Sequence, residues 1–386
     1  MAVGYSVSKR FSPLRLALVL AFVAGGSSWC VEPKGATNGG DVRLSPPAQP
    51  PQIVFASDSA IVPLQALFSD PAIVIGLQKL HAGVALALAD LSPGRADVVR
   101  KLNRAGIPVT AWLALPMDQG YYMNAGNEPE TAARFAAFQK WTEENGLQWA
   151  AIGLDIEPDI RDFAALRNHK LRLLGKMVAR YCEPGRARRA RQSYAGLILQ
   201  MQANGYRVET YQFPFIADER NAHTTLLERL FGLVDVRGNT EVLMLYTSFN
   251  HTMDSAVVWK YGPEAQAIAI GSTKSDPATD AQFPPLTWDE LSHDLLVASH
   301  FSHVVAIYSL EGCVQQGFLP KLMTLDWNQA VTIPGASVAK VDRMRSRIHT
   351  ILWIGANLPY FVSLALGLAV WRIAARRKHK RLAAGG

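Results

Sequence analysis

The chain has 386 residues, of which 49% are hydrophobic and 18% are charged, a composition typical of globular proteins and not of disordered ones. Its net charge of +7 comes from the two ends: Lys9, Arg10 and Arg15 supply three positive charges, and residues 372–386 supply six with no acid. The rest of the chain carries −2, so the basic overall charge gives no reason to expect a nucleic-acid partner.

The first residues have the layout of a secretory signal peptide. Three basic residues precede the short apolar run LALVLAFVAGG (16–26), which ends in small residues. An uncleaved amino-terminal anchor is the alternative for residues 1–29. Residues 30–51 are rich in glycine and proline, and we expect them to form a flexible linker.

Between residues 52 and 330, apolar runs alternate with helical patterns, several of which end in glycine as helices commonly do. This alternation predicts an α/β fold of parallel strands, and eight such strands close a (β/α)8 TIM barrel. An open, doubly wound sheet is the alternative, but no glycine-rich phosphate turn follows the first run. The predicted strands cover 52–58, 82–92, 107–116, 149–158, 206–216, 240–249, 266–272 and 303–312.

A long insertion, residues 160–205, follows the fourth predicted strand. Pro184 and Gly185 are expected to divide it into two helices. Its basic run RARRAR (186–191) predicts a solvated helix face, with contact to anionic lipid as the alternative.

The fourth predicted strand, WAAIGLDIEP (149–158), ends in carboxylates, at the end of a barrel where functional groups collect. Residues i and i+2 of a strand project to one side, so we expect Asp155 and Glu157 to face the barrel axis together. Two close carboxylates raise each other's proton affinity, which keeps one able to donate a proton near neutral pH. Cleavage of a glycosidic bond requires such a donor. An acid-rich surface loop is the structural alternative, and we expect Asp159 to cap a helix.

Three segments together resemble glycoside hydrolase family 18, the chitinase family. GLDIEP (153–158) is similar to its fourth-strand signature, which ends in Asp-x-Glu. VLMLYTSF (242–249) resembles its sixth-strand Met-x-Tyr-Asp motif, and AIYSLEG (306–312) its eighth-strand Trp-Ser-x-Asp-Gly motif. The chain departs from the family at Thr247, which replaces an aspartate, and at Ala151 and Gly153, where earlier aspartates are absent. The short Asp-x-Glu is also similar to glycoside hydrolase family 25.

The resemblance implies that Glu157 protonates the leaving oxygen while the N-acetyl group of the substrate attacks the anomeric carbon. Asp155 would orient that group and Tyr246 would donate a hydrogen bond to it. A mechanism with two catalytic carboxylates is the alternative, with Glu209 or Glu311 as the partner of Glu157.

Further residues near the predicted strand ends are candidates for contact with a sugar. Aromatic side chains there could stack on a sugar face, although core packing explains each of them equally well. The candidates for substrate binding are Trp112, Tyr211, Gln212, Tyr308 and Glu311, and Tyr121 and Tyr122 are further aromatic candidates. Metal-ligand spacing, a GxSxG elbow and cofactor motifs are absent from the sequence, so we predict a reaction without a metal or cofactor.

Residues 349–373 are almost wholly apolar and long enough to cross a bilayer. The basic tail, residues 374–386, predicts a cytoplasmic carboxyl terminus, and residues 331–348 form the predicted juxtamembrane segment. A buried carboxyl-terminal helix is the alternative. With an amino-terminal signal, this topology places residues 52–330 on the extracytoplasmic (periplasmic) side.

These features predict a membrane-anchored, extracytoplasmic glycoside hydrolase that acts on a polysaccharide or oligosaccharide, either N-acetylated or plain. The alternative is a catalytically silent barrel that binds a glycan of the cell envelope. Because one fold hosts many functions, the fold alone does not distinguish these two hypotheses.

Overall fold

The structure, a computed structural model, describes residues 40–383 apart from 47–48, 163–164, 166–168 and 276–279. The predicted signal peptide or anchor, residues 1–29, lies outside the described residues. Eight parallel strands close into a barrel in chain order, so the predicted TIM barrel is confirmed.

Each of the eight predicted strands is present and lies within its predicted range. The apolar runs extend past the strands because the chain stays buried where it enters and leaves the barrel. In chain order the barrel strands are β2 (Gln52–Ser57), β3 (Gly83–Leu88), β4 (Val109–Leu113), β5 (Ala151–Asp155), β6 (Val208–Gln212), β7 (Thr240–Met244), β8 (Ala267–Gly271) and β9 (Val304–Tyr308). Two further strands, β1 (Val42–Leu44) and β10 (Val331–Ile333), lie outside the barrel.

Helices surround the barrel, and the described part of the insertion after β5 includes two that are divided at Pro184, as predicted. The helices are α1 (Ile61–Ser69), α2 (Pro71–Lys79), α3 (Pro93–Arg104), α4 (Glu128–Asn145), α5 (Lys170–Tyr181), α6 (Pro184–Ala203), α7 (Phe215–Asn221), α8 (Leu226–Phe231), α9 (Ala256–Tyr261), α10 (Trp288–Ala298), α11 (Leu310–Gln315), α12 (Phe318–Met323) and α13 (Gly335–Ala383).

Alternate residues of the barrel strands pack on opposite sides of the sheet. On β7, Leu243 belongs to the hydrophobic cluster between the barrel and the helices, whereas Val242 and Met244 belong to the cluster inside the barrel. On β5, Ile152 and Leu154 join the outer cluster, so the residues between them and after them face the interior. This alternation determines which side chains can enter the site.

The prediction of a flexible linker over residues 30–51 is wrong at residues 42–44, which form a strand. Strand β1 pairs antiparallel with β10, and Leu44 is buried in the outer core together with Ile333. The glycines and prolines around β1 predicted a flexible segment, but Val42 and Leu44 supply apolar side chains that a three-residue strand can bury. The two ends of the barrel domain are thereby joined.

The predicted juxtamembrane segment, residues 331–348, is not a separate unit. It contains β10 and the first turns of α13, which pack against α7, α8 and α9. Arg345 of α13 contacts Asp218 at 2.8 Å and Glu264 at 2.6 Å, and the side chain of Asp218 is fully buried. Polar pairing with the barrel wall therefore extends the domain past residue 330.

Apolar packing extends this contact to the start of the predicted span. Leu352 is fully buried, and Gly355 lies so close to Leu226 that a side chain larger than glycine would collide with it. Beyond Gly355, α13 leaves the barrel and exposes large apolar side chains as far as Ile373. One helical segment, Gly335–Ile373, is thus long and apolar enough to cross a membrane.

We predict that Arg345→Ala lowers the free energy of unfolding by at least about 2 kcal/mol, because it leaves the buried Asp218 carboxylate without its main ionic partner. Urea unfolding of the full chain in detergent, followed by tryptophan fluorescence, measures the change. Lys140→Ala is the control, since the pair of Lys140 with Glu144 on α4 is exposed. Equal midpoints for both variants would show that α13 is not held by this pair.

Candidate active site

The backbone of β5 stays extended beyond its last residue. Ile156 pairs with Met123 in the loop after β4, and the Met123 and Glu157 amides donate to the Asp155 and Met123 carbonyls at 2.9 and 3.2 Å. On the other side, the Ile156 amide donates to the Tyr211 carbonyl at 3.1 Å. Because Ile156 faces the helices, Asp155 and Glu157 both face the barrel interior.

These two carboxyl groups are almost completely removed from water. Asp155 is 5% exposed and Glu157 is 1% exposed. Burial raises the pKa of both groups, and the charge of Asp155 raises the pKa of Glu157 further. One oxygen of each side chain has no hydrogen-bond partner within the described part of the chain. The pair can therefore hold a proton near neutral pH, and its unpartnered oxygens are free to bind a ligand group.

Five tyrosines lie at this end of the barrel, four of them near the pair and Tyr308 beside Asp58. Burial raises the pKa of every one of these phenols, and nearby carboxylates add to the effect. They therefore remain protonated, and two of them donate within the site, Tyr211 to Glu209 and Tyr308 to Asp58. Two ring pairs are in contact, one at 4.9 Å and one at 5.9 Å between centroids. The five are Tyr121, Tyr122, Tyr211, Tyr246 and Tyr308; Tyr246 is half-buried and the others are buried.

The loop after β4 positions two of these tyrosines. Asn127 donates to the Tyr122 carbonyl at 2.8 Å and to the Gln119 carbonyl at 3.1 Å. Its side-chain oxygen accepts from the Asn124 amide at 2.8 Å and from the hydroxyl of Tyr194 on α6 at 3.1 Å. The insertion after β5 thus supports the aromatic side of the site.

A second carboxylate group lies across the barrel, at the end of β2. Asp58 accepts from the Tyr308 hydroxyl at 2.7 Å and from the Lys274 ammonium at 2.6 Å. Asp58 and Lys274 are not among the site residues predicted from the sequence. An acid directly after the first apolar run, QIVFASD, was the available signal for Asp58, whereas Lys274 lies in a loop with no pattern.

Glu311, a predicted substrate-binding residue, lies at the start of α11. One carboxylate oxygen accepts from the hydroxyls of Ser57 and Ser59 at 2.5 and 2.6 Å. The other oxygen is buried without a partner among the residues that the structure describes. Glu311 is therefore near Asp58 and the Tyr308 ring, on the β2–β9 side of the barrel.

Glu209 lies two residues before Tyr211 on β6, deeper in the barrel than Asp155. It pairs in register with Gly153, two residues before Asp155, and accepts from the Tyr211 hydroxyl at 2.9 Å. A β-carbon at Gly153 would approach the Tyr211 ring to 3.1 Å. The position where family 18 has an aspartate is thus beside a tyrosine ring in this chain.

The remaining two candidates face different ways. Trp112 is half-buried inside the barrel and packs on the inner cluster beside Ala56. Gln212 is buried on the other side of β6, where its amide donates to the Val234 and Val236 carbonyls at 3.1 and 3.2 Å. The structure therefore brings Trp112, but not Gln212, to the side of the sheet that holds Asp155.

Several solved structures have a distant likeness to this chain. No protein-family model matches the chain, and no curated protein sequence matches it. The glycoside hydrolase domain of PgaB (BpsB) from Bordetella bronchiseptica is 11% identical over 72% of this chain and 99% of that chain, with a TM-score of 0.39. A putative alpha-L-fucosidase from Bacteroides thetaiotaomicron is 10% identical (78% and 99% covered, TM-score 0.37). The 3-keto-D-glucoside 4-epimerase from E. coli is 11% identical (71% and 98% covered, TM-score 0.38).

We predict that Glu157→Gln stabilises the protein at neutral pH by more than about 1 kcal/mol. The folded pKa of Glu157 lies above its unfolded value, so stability falls as the pH rises from about 4 through neutrality. The glutamine removes this cost, and the gain should therefore disappear as the pH is lowered to about 4. Urea unfolding across this pH range measures it.

Asp159→Asn is the matched control, with the opposite sign. Burial alone would raise the pKa of Asp159, but hydrogen bonds and charge from Arg161 outweigh it and the pKa is lowered. This variant should lose stability at neutral pH, and the loss should shrink in acid. A Glu157→Gln variant that is less stable than the parent at pH 7 would contradict the prediction.

Proposed function

We propose that this chain is a membrane-anchored glycoside hydrolase in which Glu157 is the general acid. The observation that supports it best is the pair of interior carboxyl groups at the end of β5. Both have a raised pKa, and each has one oxygen without a hydrogen-bond partner among the described residues. Perturbed titratable groups of this kind are typical of catalytic sites. The tyrosines around the pair suit a sugar, which offers apolar faces and many hydroxyl groups.

In the proposed reaction, Glu157 donates its proton to the glycosidic oxygen as the bond to the anomeric carbon breaks. For an N-acetylated sugar, the carbonyl oxygen of the substrate's own acetamido group forms the new bond to that carbon. Water then opens the resulting cyclic cation, and the Glu157 carboxylate takes a proton from this water. Asp155 orients the acetamido nitrogen, and Tyr246 donates a hydrogen bond to its oxygen.

The contacts of the other carboxylates support this route over one with two catalytic carboxylates. Glu311 already accepts from two serine hydroxyls, and Glu209 accepts from Tyr211 at a deeper level of the barrel. Asp155 is the carboxylate on the same side of the chain as Glu157, two residues before it, which is the place for a group that orients the acetamido group of a substrate. N-acetylated polysaccharides and oligosaccharides are therefore the first substrates to test.

A catalytically silent, glycan-binding barrel is the second candidate, and one observation favours it. Glu157 is only 1% exposed, and the loop with Tyr121 and Tyr122 lies against it. A substrate can reach the carboxyl group only if this loop moves. A barrel without that motion would bind sugars at its rim and leave them intact.

We predict that Glu157→Gln lowers the rate of hydrolysis by roughly 10²–10⁴-fold, because the amide keeps the shape of the side chain but has no proton to transfer. Release of reducing ends from N-acetylated and plain oligosaccharides is the assay. The full chain in detergent is required, because truncation after residue 340 would remove the buried contacts of Arg345 and Leu352. Glu143→Gln, on the outer helix α4, is the control and should retain the parent rate.

Glu311→Gln separates the two mechanisms in the same assay. A small effect fits attack by the substrate's acetamido group, whereas a loss as large as that of Glu157→Gln fits a second catalytic carboxylate. If Glu157→Gln cleaves at the parent rate, Glu157 is not the acid. If the folded parent binds glycans and cleaves none, the silent barrel is the correct reading.

We also propose that α13 crosses the membrane with the barrel on the extracytoplasmic side. Only 6% of the most apolar 18-residue stretch of α13 is buried against the rest of the chain. At 1.5 Å per residue, this stretch is about 27 Å long. The basic residues after Ile373 favour a cytoplasmic end.

We predict that alkaline phosphatase fused after Gly386 is inactive in bacterial cells, because it stays in the reducing cytoplasm, whereas a green fluorescent protein fused there is fluorescent. Phosphatase fused after Thr324, in place of residues 325–386, is the control for export. An active phosphatase after Gly386 would reverse the orientation.

A further inference from the structure

Helix α5, in the insertion after β5, leaves an apolar stripe uncovered. Leu171, Leu174 and Val178 are 86%, 57% and 52% exposed. At 3.6 residues per turn these three side chains fall within about 60° of arc. The opposite side of the helix, with Leu173 and Arg180, is buried against the domain.

The charges of α5 are all positive. The helix contains Lys170, Arg172, Lys176 and Arg180 and no acid. Arg180 and Lys176 are paired with Asp162 at 2.7 and 2.5 Å on the domain side. Arg172 is exposed beside the apolar stripe. An exposed apolar stripe bordered by basic residues is the composition of helices that lie in a membrane interface.

The end of α5 meets α13 where α13 leaves the barrel. The Tyr181 hydroxyl donates to the Gly355 carbonyl at 3.1 Å, and the Arg229 guanidinium lies 4.2 Å over the Tyr181 ring. Trp353 and Ile354 of α13 are already 58% and 46% exposed at this point. The uncovered stripe of α5 is thus joined to the exposed apolar surface of α13.

We propose that α5 lies in the interfacial layer of the bilayer that α13 crosses, with Leu171, Leu174 and Val178 among the acyl chains and Arg172 at anionic headgroups. This inference rests on the proposed anchoring and is independent of the proposed hydrolysis. A second copy of the chain is a poorer occupant, because two α5 helices face to face would bring only positive charges together. A lipid surface supplies both the apolar layer and the negative charge.

Lipid quenching of a single fluorophore tests the proposal on the full chain. Cys30 and Cys182 are replaced by serine, and the buried Cys313 is left in place. A cysteine introduced by Leu174→Cys is labelled with nitrobenzoxadiazole, and the protein is reconstituted into phosphatidylcholine vesicles with phosphatidylglycerol. Val62→Cys, on α1 and 73% exposed, is the control for an apolar position away from α13. Leu364→Cys reports whether α13 is in the bilayer.

We expect nitroxide lipids labelled near the headgroup to quench position 174 at least about twofold more strongly than position 62, and lipids labelled near the end of the acyl chain to quench position 364. Omitting phosphatidylglycerol should weaken quenching at 174 and leave quenching at 364 unchanged. Quenching at 364 with position 174 no different from 62 would overturn the proposal. A blue-shifted label at 174 without lipid quenching would also overturn it and would indicate a second copy.

Absence of quenching at 364 would show that α13 does not cross the bilayer, and the proposal would fall with the anchoring. Glycan hydrolysis by the same labelled proteins in detergent is measured in parallel. A loss of hydrolysis therefore bears on the proposed catalysis alone.

Discussion

The site depends on the removal of two neighbouring carboxyl groups from water. Asp155 and Glu157 reach the barrel interior because the chain remains extended for two residues after β5, supported by Met123 on one side and Tyr211 on the other. An ordinary turn after Asp155 would expose Glu157 to solvent and return its pKa toward the usual range. The backbone pairing at the rim of the barrel is thus the origin of the unusual protonation of the pair.

Burial of this pair opposes folding, so other parts of the domain have to compensate for it. The eight strands bury nearly continuous apolar faces against the helices, and the ends of the domain are joined by β1 and β10. On the α13 side, Asp218 is fully buried but is paired with Arg345 and accepts from the Tyr261 hydroxyl at 2.5 Å. Buried acids in this protein are therefore satisfied in different ways. Asp218 has a cationic partner, Glu219 accepts from two backbone amides, and Asp294 accepts from the Thr247 hydroxyl. The β5 pair has no cationic partner among the described residues.

Much of the barrel could be predicted from sequence because strands buried on both sides leave long apolar runs. Asp155 and Glu157 could be found because they end such a run. Three features could not be found in this way. The pairing of β1 with β10 joins residues almost 290 positions apart through strands of three residues each. The depth of Glu209 in the barrel follows from the register of β6 against β5, and the sequence of one strand does not determine its register against the next. Lys274 reaches Asp58 from a loop, where no periodicity constrains the position of a side chain.

The docking of α13 also has a consequence for how the domain would meet its substrate. In many anchored enzymes a flexible linker separates the domain from its anchor, and the enzyme samples a wide volume above the membrane. Here the same helix packs along the barrel wall and continues without interruption into its apolar half. The described residues therefore contain no flexible linker between the barrel and the apolar half of α13. With α13 in a bilayer, the barrel would stand at a constant height and tilt. The site would then reach glycan chains only at that height above the bilayer, and lateral diffusion of the protein in the membrane would bring it to them. Glycan chains at another height would not be cleaved.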